Sequence, residues 1–232
     1  MAIKLPIVSS FDQSGLKQAQ GALKGFTKQL GGIAVALGAA FSVRAITNFA
    51  KESVLAAEAA ATAQSRLEAV AKATNVFGEE TQAVTDRLGE FAKSQEMRLA
   101  VDDKVIKGVQ AQLLSFKQLS GSADEAGGVF DRVTLAAFDM AAVVGTADSN
   151  AIALGKALED PTRGLTALAR NGTVFTDQQK EQVRVLQESG DLLGAQELIL
   201  KEVESQYGGV AASTADASDK LALSFDNIKE TA

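Results

Sequence analysis

Only two prolines, Pro6 and Pro161, interrupt a chain of 232 residues. Proline ends helices because it lacks an amide proton and its ring collides with the preceding turn. A chain that avoids it this thoroughly can carry helix almost anywhere. Alanine, the strongest helix former, supplies 41 residues, whereas the aromatics that fill sheet sandwiches make up 5%. These features predict an all-α protein, with a long N-terminal helix or coiled-coil segment followed by a module of short capped helices.

The chain has no histidine and no cysteine. That removes the commonest general base, the thiol nucleophile, imidazole and thiolate metal ligands, and any disulfide framework. Hydrolysis by a Ser-His-Asp triad is excluded. Carboxylate catalysis or an all-oxygen cation site survives this argument, but the acids show no recognisable pairing. Glu79-Glu80 and Asp102-Asp103 read as complements to the positive ends of the helices that follow them. Gly155-Lys156 invites a phosphate-loop reading, yet Asn150 stands where the first glycine is needed and Ala157 replaces the Ser or Thr. The expectation is a protein that is not an enzyme and has no catalytic, cofactor-binding or metal site.

Net charge is −6, unevenly spread. Residues 1–51 hold Lys4, Lys17, Lys24, Lys28, Arg44 and Lys51 against Asp12 alone, so a basic arm precedes an acidic body. The arm's charges are widely spaced and not interleaved with aromatics, which argues against sequence-specific nucleic-acid reading. Within it, Ile33 to Val43 is uncharged and apolar but reaches only half the length of a bilayer span, about 20 residues. Counted through Arg44, residues 30–50 become marginally long enough, with Gly32, Ala36 and Ala40 as a small-residue face. A membrane-active module that inserts residues 30–50 into a host bilayer is therefore the alternative to a packed helix.

Ile46, Phe49, Ser53, Ala56, Ala60, Ala63, Leu67 and Val70 follow one another at alternating steps of three and four, the a/d seam of a coiled coil. Mid-seam alanines permit close approach but bury little area, so the seam predicts tight, weak pairing, within one chain or between copies. Beyond Asn75 the pattern breaks into shorter helices, among them one with an apolar row of Val105, Val109, Leu113 and Phe116. The expected organisation is a basic apolar arm over 1–50, a heptad helix over 51–74, a helical module over 75–210, and the start of a further helix over 211–232 that continues in a longer polypeptide.

The most particular spacing lies between Glu159 and Gly209. Asp160 before Pro161 predicts a capped helix start, since proline at the first helical position gives up an N–H that had no partner. That helix, "PTRGLTALAR", stops at Asn171-Gly172. Thr176 with Gln179 has capping-box spacing and starts a second helix ending at Gly190. Asp191 caps a third, carrying Leu192, Leu193, Leu198, Ile199, Leu200 and Val203 and ending at Tyr207-Gly208-Gly209.

Leu154 to Ala211 resembles the signature region of tail length tape measure proteins of long-tailed bacteriophages and prophages. The resemblance rests on Leu158, Asp160, Pro161, Gly164, Ala167 and Leu168, then Asn171, Gly172, Thr173, Phe175 and Thr176. It continues through Gly190 in E-S-G-D and Gly194 in G-A-Q to Gly208 in the terminal Y-G-G. It implies a virion structural protein, a largely helical filament in the tail lumen that sets tail length and is ejected ahead of DNA. Its implied partners are the tail tube, tail-tip proteins and tail assembly chaperones, met in the host cytoplasm during assembly; the heptad seam adds further copies in a homo-oligomer, and the apolar run adds contact with a host membrane.

Overall fold

The computed structural model describes residues 43–231, and all regular structure among them is helical. The basic arm up to residue 42, including most of the apolar run within 30–50, lies outside the described residues. The chain divides into two units, one of residues 58–227 and one of 1–57 with 228–232.

Helix α1, Val43–Thr74, belongs by its first part to the smaller unit and by its remainder to the larger. It ends where Asn75 turns left-handed at φ +50°. A single 3-10 turn, Gly78–Glu80, leads into α2, Thr81–Leu99. Then come α3, Asp103–Leu113, one turn of helix α4, Lys117–Ser120, and α5, Val129–Ala141. The chain continues with α6, Ala147–Glu159, α7, Pro161–Arg170, α8, Asp177–Glu188, and α9, Leu192–Tyr207. The short α10, Val210–Thr214, precedes the last helix α11, Ala217–Thr231. Among the described residues no helix is long and apolar enough to cross a membrane.

Asp102 caps α3 by accepting from the Lys104 N–H at 2.8 Å, as the paired acids suggested. The apolar row expected on α3 is corrected by one residue. Val105 is exposed, while Ile106, Val109 and Leu113 are fully buried. The 106–109–113 row alternates steps of three and four along one side of a helix, and Phe116 lies past the end of α3, at the start of α4. Gln110 joins the buried row because its amide donates to the Leu88 carbonyl at 3.1 Å, which offsets the cost of burying it.

Around α5 and α6 the core gathers Phe130, Met140, Leu154, Leu158 and Ile199, all inaccessible to solvent. Two arginines tie the layers together at its edge. Arg87 on α2 donates to the Ala123 carbonyl and to both oxygens of buried Asp131. Arg132 on α5 bridges Glu197 and Glu204 on α9 at 2.7 and 2.8 Å, and these carboxylates push its pKa up. Asp139, also on α5 and buried, accepts the Gly209 and Ala211 N–H groups and so fixes where α10 begins.

Candidate functional site

The segment from Leu158 to Gly209 is built from corners, and each residue the sequence picked out there has a geometric task. Asp160 closes α6 and opens α7; its carboxylate accepts from the Arg163 N–H at 3.4 Å, with buried Pro161 at the first helical position. Gln187 reaches across from α8 to the same place. Its amide nitrogen donates to Asp160 Oδ1 at 3.1 Å, and its carbonyl oxygen accepts the Thr162 N–H at 2.8 Å. The Gln187 hydrogen bond, followed by those from Arg163 and Thr162, holds the Asp160 carboxyl below its usual range.

Gly164 sits where α7 crosses α6. A Cβ there would lie 2.0 Å from the Ala157 Cα, so only glycine permits the two backbones to meet. One turn on, Leu168 is fully buried, as is Leu158 at the end of α6. Gly155 makes room on α6 for the Phe116 ring, which would come within 2.2 Å of a Cβ at that position. The glycine and lysine that resembled a phosphate loop thus lie mid-helix, Gly155 buried and Lys156 exposed.

Asn171 ends α7, and Gly172 follows at φ +92°, a left-handed backbone that residues with a Cβ rarely adopt. Phe175 is buried beyond that turn. Thr176 and Gln179 form the expected capping box at the start of α8: the Gln179 N–H donates to Thr176 Oγ1, and the Thr176 N–H donates to Gln179 Oε1. Gly190 is left-handed at φ +84°, and Asp191 accepts the Gly194 N–H at 2.9 Å to open α9. Gly208 caps the end of α9, where its N–H donates to the Glu204 carbonyl. The expected third helix is present, but Leu193 points outward while Ile199, Leu200 and Val203 carry the buried side.

Three glutamines to which the sequence alone assigns no structural task complete the segment. Besides Gln187, Gln196 donates to the Leu158 carbonyl at 2.8 Å from a buried position. Gln206 accepts the Val174 N–H and donates to the Val174 carbonyl, bracing the loop as a neighbouring strand would. No local pattern announces them, because each partner lies 25 or more residues away.

The seam residues divide. Ile46, Phe49 and Ala56 lie in the part of α1 that belongs to the smaller unit. In the larger unit Ala60 and Ala63 are half-buried, Val70 packs against the core, and Leu67 is fully buried in it. The C-terminal end of the seam is therefore used within the molecule.

A groove of about 400 Å³ runs between α8 and α9, lined by Glu181, Gln182, Val185, Leu186 and Leu198. Among the described residues no group of three or more metal-ligating side chains gathers at one place. The oxygens of Asp160, Thr176 and Asp191 are turned onto helix N-termini, so what this segment does is hold helices at fixed angles. No protein-family model, no curated protein and no solved structure matches the chain.

Proposed function

We propose that the chain is a structural protein of a phage or prophage tail: part of a tape measure that lies in the tail lumen, sets tail length and leaves ahead of the DNA. The observation that carries this reading is the ordered signature from Leu154 to Ala211. Asp160, Pro161, Gly172, Thr176, Gly190 and Gly208 stand at corners between helices, Gly164 at a close helix crossing, and Leu158, Leu168 and Phe175 in the core that these corners enclose. A ruler needs length and stackable helices more than a reactive centre. The heptad seam of α1 serves self-association through Ala56, Ala60 and Ala63, since Leu67 is already enclosed. Its partners are further copies, the tail tube, tail-tip proteins and the chaperones that hold the chain during assembly.

The test is compositional. Tails purified from a strain that makes the particles should yield tryptic peptides from residues 43–231 after the outer surface has been shaved with protease. Loss of those peptides on shaving, or their absence from tails altogether, rejects the placement in the lumen.

A further inference from the structure

The chain after α9 lies on the body formed by α2 to α9 without being packed into it. From Gly208 to Asn227 the one buried side chain is Leu223, with Ala211 partly buried against the core. Beneath this stretch runs a cleft of about 220 Å³, walled by Leu99, Phe138 and Ala141 of the body and by Ala211 and Thr214 of α10. Close-packed interiors leave few voids larger than a water, which takes about 30 Å³, so the two walls face each other without interlocking.

What joins them at the α9 end is polar. The buried carboxylate of Asp139 on α5 accepts the Gly209 N–H at 2.9 Å with one oxygen and the Ala211 N–H at 3.0 Å with the other. The corner between these bonds and α9 consists of two glycines. A Cβ at Gly208 would lie 2.5 Å from the Glu204 carbonyl oxygen, while Gly209 is left-handed at φ +81° with nothing within 4 Å of where its Cβ would be. Hinges are a few residues at element ends that absorb large backbone rotations, and a glycine pair outside the packed core can do so. We infer that residues 208–227 form a strap hinged at Gly208-Gly209 and latched by Asp139. When the two carboxylate hydrogen bonds break, the strap lifts and the cleft opens while α5 and α9 stay folded. The inference goes beyond the tail assignment and requires nothing from it.

The absence of cysteine allows two spin labels to be placed without background. With Lys201→Cys on α9 and Ala222→Cys on α11, both exposed, double electron–electron resonance on the full chain should give one main distance for the latched strap. Asp139→Asn exchanges one accepting oxygen for an amide that cannot accept. Bonds to a charged acceptor are the strong ones, so a second, longer distance should gain population by about tenfold or more relative to the first. Gly209→Ala strains the left-handed corner without touching the core and should add the same longer distance. Hydrogen exchange follows the body: residues 129–141 and 192–207 should keep their protection in both variants. A single unchanged distance in both variants overturns the strap. Loss of protection throughout the body in step with the new distance overturns it too, because Asp139 would then hold the core together and not a latch.

Discussion

At the scale of single residues, two glycines separate rigid obstacles from movable ones. Replacing either with alanine gains about 1 kcal/mol of helix propensity. At Gly164 the new Cβ would meet Ala157 backbone at 2.0 Å, and backbone in a packed helix pair cannot step aside. Overpacking of this kind costs about 1–3 kcal/mol or more, so Gly164→Ala should lose stability on balance, by about 2 kcal/mol. At Gly155 the obstacle is the Phe116 ring, and that side chain is only half-buried. Gly155→Ala should cost less, roughly 1 kcal/mol. Urea titration of the two variants orders them; equal losses would contradict the geometry. Ala100 is the reverse case. It ends α2 at φ +53°, a left-handed conformation without glycine's freedom, and Ala100→Gly should gain about 0.5–1 kcal/mol in the same titration.

Among the elements, α8 stands apart because Val183 is its one fully enclosed side chain, whereas α9 encloses Ala195, Ile199, Leu200 and Val203. Much of α8's attachment is polar: Gln187 to the start of α7, and Gln179 to Glu202 on α9. Local opening follows the apolar contacts an element would lose, so amide hydrogens of residues 177–188 should exchange well before those of 192–207. Gln187→Ala should widen the gap; equal protection in both helices would contradict it.

The same contrast explains what could be read from the sequence. Asp160-Pro161, Thr176 with Gln179, and Asp191 declare helix starts locally, because capping chemistry is settled within about three residues. The three capped helices follow from that alone, and the all-α class follows from the scarcity of proline and the abundance of alanine. The row on α3 was misplaced because Val105 and Ile106 are adjacent and both apolar, and only the helices packed against α3 decide which of them faces inward. Gln187, Gln196 and Gln206 were illegible for the same reason, as were the close approach at Gly164 and the enclosure of Leu67.

For the molecule as a whole, acid should act through a buried ion pair within α3. Asp103 on α3 is 2.8 Å from Lys107, with Lys93 and Lys104 nearby. Burial pushes its pKa up, but the Lys107 hydrogen bond and the three lysine charges outweigh that, and the net direction is downward from 3.8. A carboxyl depressed by folding stabilises the fold above its unfolded pKa, and the contribution disappears as pH falls through the lower, folded value. Asp103→Asn should therefore be less stable than the parent at neutral pH, and the difference should shrink as pH drops below 3.8. A difference independent of pH would mean that the carboxylate's charge is not what matters.

The central claim, that the chain acts as a ruler, has a geometric consequence at this scale. Four tandem in-frame repeats of residues 43–70 preserve the heptad phase and add roughly 110 helical residues, about 170 Å at about 1.5 Å each. Electron microscopy of tails assembled with the lengthened protein should show a uniform population longer by about that amount. Tails of unchanged length, assembled in normal number with the lengthened chain inside, would contradict the account.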